Sequence, residues 1–184
     1  GQVVARVLRA KGIGFTALDV SSEHIEFMKR FGNKVFFGDA SRVELLRAAK
    51  AEEARILVVA IDDVEASLRT VEAAQRHFPH LHIYARARNR QHVYRLLEMG
   101  VKDFVRETWD ASLVLTTQVL EGLGAEPERA QATVRKFAAH DEQMLREAAA
   151  HHTDLQKLTE IAAKGRAELE RLFEKDEDSV AGPN

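Results

Sequence analysis

Ile56-Leu57-Val58-Val59-Ala60-Ile61 is an apolar run with no polar interruption. A strand with one wet face alternates apolar and polar residues, so this run reads as a strand covered on both faces. Strands of that kind belong to parallel sheets clad by helices. The flanking sequence agrees. Further strand patterns at 15–20, 34–37, 81–85 and, more weakly, 103–105 alternate with helical patterns at about 2–11, 22–31, 41–50, 63–77 and 89–98. Short strands separated by helices imply right-handed βαβ crossovers. The expected fold class is α/β, a doubly wound parallel sheet.

After Thr108 the strand patterns stop. Residues 109–123 read as a helix closed by Gly122-Leu123-Gly124, and Pro127 suits the first position of the next helix. That charged helix runs to about 150. Thr153-x-x-Gln156 has capping-box spacing and opens a final helix with Leu155, Leu158, Ala162, Leu169, Leu172 and Phe173 as its apolar stripe. The expected organisation is an α/β domain at 1–107, a helical extension at 108–175 and a disordered tail at 176–184.

Charged residues make up 30% of the 184, yet the formal net charge is only -2. A nucleic-acid partner would call for a basic stripe, so none is expected. The absence of cysteine excludes disulfide staples and thiol chemistry, and a reducing cytosol is the natural compartment. No apolar run approaches the roughly 20 residues of a membrane span, and no signal peptide is visible. The sequence reads as a soluble intracellular piece.

The first twenty residues read as the second half of a dinucleotide-binding, Rossmann-like βαβ unit. Val3, Val4, Val7 and Leu8 recur at helical spacing, Gly12 gives a stop, and a strand ends on Asp19. Acids recur just outside strand carboxyl ends, where such sheets bind ligands: Asp19, then Gly38-Asp39-Ala40-Ser41, then Ile61-Asp62-Asp63. A carboxylate at Asp19 can accept both hydroxyls of an adenosine ribose. Asp39 can reach an adenine amino group or cap the following helix, and Asp62 and Asp63 are also cap candidates. Arg86, in Ala85-Arg86-Ala87-Arg88, can meet a phosphate, a neighbouring subunit's acids or a surface salt-bridge partner. His77, His80, His82, His151 and His152 have no companions at zinc-site spacing, so no metal is expected. No nucleophile elbow, base dyad or P-loop is present, so no catalytic residue is assigned.

Taken together, "G-Q-x-V", "LDV-x-x-x-HIE-x-x-x-x-FG-x-KVFFGDAS", "AIDD", "HFPHLHIYARARN-x-x-H" and "GV-x-x-x-x-RET" carry a resemblance. They look like the cytoplasmic regulatory domain of Kef-type glutathione-gated potassium efflux systems, of the RCK/KTN class. The resemblance covers about residues 1–150. It implies an apolar strand and G-x-G-x-x before Gly1, with Gly1 the last glycine, so the sequence reads as starting inside a longer chain. It also implies AMP or NAD(H) in the cleft over the glycine turn, against Gly1, Asp19, Asp39, Ala40, Ser41, Ile61, Asp62 and Arg86. A homodimer through a crossover helix at about 111–123 and the sheet's outer strands follows from it as well. So do a membrane transport domain, an ancillary flavoprotein-like subunit, and a place on the cytoplasmic face of the inner membrane. Glutathione or its conjugates would gate transport from contacts similar to Arg6, Arg95 and Asp141. The family has an Asn near Asp141, and an acid there is expected to oppose glutathione's carboxylates. The implied role is a gating domain without catalysis. The alternatives are a peripheral nucleotide-binding subunit of a potassium uptake system and an NAD-dependent oxidoreductase.

Overall fold

Each predicted strand forms, and each is short because a turn residue or helix cap follows within a few positions. A computed structural model describes residues 1–30 and 34–178. In chain order the elements are α1 (Gln2–Ala10), β1 (Thr16–Asp19), α2 (Ser22–Arg30), β2 (Lys34–Phe37), α3 (Val43–Ala48) and a 3-10 turn (Ala51–Glu53). Then follow β3 (Ile56–Val59), α4 (Val64–His77), β4 (His82–Ala87), α5 (Arg90–Glu98), β5 (Asp103–Arg106), α6 (Trp109–Gly122), α7 (Pro127–Ala149) and α8 (Leu155–Asp178). Residue 31 of the expected second helix lies outside the described residues. So does 179–184 of the expected tail, whereas 176–178 is the end of α8.

The chain divides into two compact units, Gly1–Arg88 with Met99–Val105, and Asn89–Glu98 with Arg106–Asn184. The first is the parallel α/β unit. β1 pairs with β2 from Thr16↔Lys34 to Asp19↔Phe37. β3 pairs with β4 from Ile56↔His82 to Val59↔Ala85, and β5 lies on the other side of β4. Among the described residues these strands form two parallel sheets, β1-β2 and β3-β4-β5. Leu46, Ala51, Phe78 and Leu81 build a core against Leu18, Val43 and Leu57. α4 starts where Asp63 Oδ1 accepts the Ala66 amide at 2.7 Å, and it buries Leu68, Val71 and Ala74.

One expectation about β3 fails. Val59 is buried, but Ile56 is 53% and Val58 43% exposed. The two share a face, and Tyr84, the register partner of Val58, is also exposed. An apolar run reports what a strand is able to bury, while coverage depends on neighbours. Among the described residues β3 pairs with β4, and no buried side chain covers the face that Ile56, Val58 and Tyr84 share.

The second unit is helical. α7 packs against α5, α6 and α8, burying Val134, His140, Asp141, Met144 and Leu145. α5, which the sequence division leaves in the first domain, groups here through buried Val93, Tyr94 and Leu96. α8 approaches α7 closely at Gly165, where an added Cβ would stand 2.8 Å from Met144 Sδ. Its start differs from the expected capping box. Asp154 Oδ1 accepts the Lys157 amide at 3.0 Å, so Asp154 is the cap, and Leu155 is exposed rather than part of the packed stripe.

Candidate functional site

β1 and β2 end side by side, and their ends are tied together. The Gly38 amide donates to the Asp19 carbonyl at 2.9 Å. Asp19 Oδ1 accepts the Ser21 amide at 2.8 Å, and its Oδ2 faces His24 Nδ1 at 3.2 Å. A carboxylate has about four acceptor positions, so both oxygens retain capacity for further donors. Gly38 has φ +142°, and a Cβ there would meet Leu45 Cδ2 at 2.9 Å. Only glycine adopts that backbone cheaply.

The turn that follows holds Asp39, Ala40 and Ser41, all half-buried. Asp39 Oδ1 accepts the Ser41 amide at 2.9 Å. α3 begins after Arg42 with no side-chain cap, so Asp39 closes the turn and does not cap the helix. Hydrogen bonds from the Ser41 amide and hydroxyl, helped by Arg69 and Arg42, hold the Asp39 carboxyl below its ordinary range. A depressed carboxyl stabilises the fold fully above its unfolded value, near pH 4, and loses that contribution as pH falls through the lowered one. Gly38→Ala is expected to cost about 1–3 kcal/mol in urea unfolding through backbone strain and the Leu45 contact. A loss below about 0.5 kcal/mol, the range of an ordinary surface change, would show that the turn relaxes freely.

The opposite edge of the mouth comes from β3 and β4. Ile61 is half-buried just past β3. Arg86 Nη2 donates to the Ala60 carbonyl at 3.1 Å and pairs with Asp62 Oδ1. Asp62 is well exposed, so this pair is worth only about 0–1 kcal/mol and yields readily to a competing anion. Asp63, by contrast, is committed as a helix cap. The Cβ position of Gly1 lies 3.8 Å from Ala60 Cβ. The charges of Arg86, Asp62 and Asp19 all act on the Gly1 nitrogen, which places these residues in one neighbourhood. Among the described residues no side chain caps α1 and its first turn holds no acid, and a helix start of that kind suits an anion.

Arg6 is exposed on α1 in the first unit, while Arg95 on α5 and Asp141 on α7 belong to the second. Asp141 is 8% exposed. Arg90 Nη2 pairs with its Oδ1, and Arg106 Nη1 with its Oδ2 at 2.7 Å. The Arg106 guanidinium also lies 3.4 Å over the Trp109 ring, which stands 5.8 Å from Phe137. The carboxylate expected to repel anions is therefore already matched by two cations. Arg90 and Arg106 were not among the candidate residues. A signal for them existed, because Asp141 interrupts the apolar stripe Val134, Phe137, Met144, Leu145, and an acid in such a stripe requires a cation.

Residues 1–107 match the TrkA-N domain, and residues 111–183 match the potassium efflux system KefB C-terminal domain. Among solved structures, the chain is similar to the Kef CTD of Shewanella denitrificans in AMP-bound form. Identity is 43%, over 81% of this chain and 90% of that one, with a TM-score of 0.74. The TrkA-N domain of the inner membrane protein ybaL from Escherichia coli shares the fold at 22% identity. There the coverage is 62% of this chain and 85% of that one, and the TM-score is 0.58. The NAD(P)-binding domain of an exopolyphosphatase-related protein from Archaeoglobus fulgidus also shares the fold. It is 19% identical over 66% and 90% of the two chains, with a TM-score of 0.57. The α/β unit is thus Rossmann-like, and the chain belongs to the Kef C-terminal domains, a TrkA-N domain joined to the KefB C-terminal domain of potassium efflux systems.

Proposed function

We propose that this chain is the ligand-sensing gating domain of a potassium efflux antiporter or channel and that it holds an adenine nucleotide, AMP or NAD(H). The observation that carries the reading is the gathering of Gly1, Asp19, Asp62 and Arg86 at one cleft mouth, in a chain 43% identical to a Kef CTD solved with AMP. Each group has a task. Asp19 accepts the ribose hydroxyls. The open amides of α1 take a phosphate, and Arg86 exchanges its weak surface pair for it. Asp39 receives the adenine amino group while Ala40, Ser41 and Ile61 form the walls. In this reading the nucleotide is a ligand rather than a substrate, and the match to a potassium efflux C-terminal domain supports a regulatory role. The KefB C-terminal match favours efflux over a subunit of an uptake system.

Gating follows if the nucleotide and a second ligand prefer different arrangements of a homodimer, a coupling of about 1–3 kcal/mol in typical cases. Glutathione or its conjugates are the proposed second ligand, with Arg6, Arg95 and Asp141 as contacts. A membrane transport domain receives the signal at the cytoplasmic face of the inner membrane, and an ancillary flavoprotein-like subunit is a further proposed partner. No helix among the described residues is long and apolar enough to cross a membrane, so the transport path is assigned to that other domain.

Calorimetric titration with AMP tests the nucleotide reading. Asp19→Ala is expected to weaken AMP by about 1.5–3 kcal/mol, roughly ten- to 150-fold, the value of a charged hydrogen bond. The reading fails if the chain binds none of AMP, ATP or NADH at millimolar concentration, or if Asp19→Ala binds as the parent does.

A further inference from the structure

α5, α7 and α8 line a half-open cavity of about 450 Å³ on the helical unit. That size is in the range of small-molecule sites, which are mostly apolar with a few placed polar groups. Tyr94, Phe137, Met144, Leu158, Ile161 and Leu169 supply the apolar wall. The polar end is built across the close contact of α7 with α8. His140 lies in the wall, 9% exposed, and its Nε2 has no hydrogen bond among the described residues. A buried polar atom in that condition marks a place for a partner. Glu168 Oε2 stands 3.5 Å from it without forming a hydrogen bond, and Lys164 Nζ is 4.0 Å from the other oxygen of that carboxylate. The His140 ring is 3.5 Å from the Cβ position of Gly165, and Arg166, the next residue of α8, also lines the cavity. Arg166 is exposed and forms no ion pair among the described residues. Asp141 also lines the cavity, but Arg90 and Arg106 occupy its charge.

We propose that this cavity binds a small amphipathic monocarboxylate, distinct from the nucleotide of the α/β unit. The apolar body lies between Tyr94, Phe137, Met144 and Leu158, and the carboxylate is taken by Arg166 and His140. With Asp141 matched by Arg90 and Arg106, Arg166 is the arginine of the lining left to meet an anion. The wall is too apolar for a ligand charged along its length, such as glutathione.

Titration of the full chain with octanoate, followed by calorimetry, tests this assignment. Saturable binding is expected. Arg166→Glu and Ala162→Trp alter exposed positions of the lining, and thermal melts confirm that both fold. The first should weaken octanoate about tenfold or more, the scale of a charged hydrogen bond, and the second should abolish binding by filling the space. Octanol, equal in chain length but uncharged, should bind about tenfold more weakly for the same reason. No saturable binding to the parent chain overturns the proposal, as does unchanged binding by Ala162→Trp. Equal affinity for octanol, or no effect of Arg166→Glu, removes the carboxylate from it. Displacement of octanoate by glutathione would assign the cavity to a polar ligand instead.

Discussion

Asp141→Ala is expected to lower the stability of the chain by about 3–5 kcal/mol, as breaking one partner out of a buried ion pair does. The cost falls on the cation left behind. Arg106 is only 12% exposed in its side chain, with the Trp109 ring on its face and the Asp141 carboxylate as its anion. Without that anion a guanidinium is held out of water uncompensated. Arg90 is nearly half exposed and can turn to solvent, so it adds little to the loss. An order of effects follows. Asp141→Asn keeps the shape and one acceptor oxygen, so it should cost about 1.5–3 kcal/mol, the scale of a hydrogen bond to a charged group. The double variant Asp141→Ala with Arg106→Met should recover part of the single-variant loss, because no charge is stranded. Urea unfolding of the parent, Asp141→Ala, Arg106→Met and the double variant measures the cycle, with Asp141→Asn beside them. A loss below about 1 kcal/mol in Asp141→Ala would show that the cluster is screened like a surface pair.

This network also changes how position 141 bears on ligand choice. As an isolated carboxylate it would oppose an anionic ligand. As the anion between two arginines it sets their positions, and removing it changes stability before it changes affinity. Any ligand measurement on Asp141 variants therefore needs the unfolding curve beside it.

The alternation of strand and helix was legible because each α/β unit writes its own period into a short segment. α6 and α7 were legible for the same reason, through the Gly122–Gly124 punctuation and Pro127. Features that depend on distant partners were not. Ile56 and Val58 carry the right chemistry for burial, but the face they share with Tyr84 is open. α5 sits between two strands of the sheet in sequence, yet its buried side groups it with α7, which local periodicity cannot report. The choice between Thr153 and Asp154 as cap turns on one residue of register. In the cleft, the positions of Asp19 and the Gly38–Ser41 turn at strand ends could be read, because an acid and a glycine there mark the turns that close β1 and β2. The cluster on Asp141 could not be assembled, since its arginines lie 51 and 35 residues away.

Leu115→Glu combined with Val119→Glu is expected to abolish self-association of the chain. α6 buries no residue fully, although half of its residues are apolar. Leu113, Thr117 and Leu120 are half-buried along one side. Val114, Leu115, Val119 and Leu123 are each more than half exposed, and 115, 119 and 123 follow one helical face at four-residue spacing. A continuous apolar strip on an otherwise charged chain is a candidate contact surface. In a two-fold dimer the same strip meets itself, so each substitution enters the interface twice. Burying unpaired carboxylates costs several kcal/mol per ion, which raises the dissociation constant by at least about a thousandfold. Light scattering at tens of micromolar should give twice the chain mass for the parent and a single chain for the variant. Because both positions are exposed, unfolding of the separated chain should hardly change. Ile56→Glu provides the contrast, since it places a charge on another open apolar face, that of the β3-β4-β5 sheet. It should leave the dimer intact. Loss of the dimer in Ile56→Glu with survival in the α6 variant would move the interface to the sheet, and a monomeric parent would remove the dimer altogether.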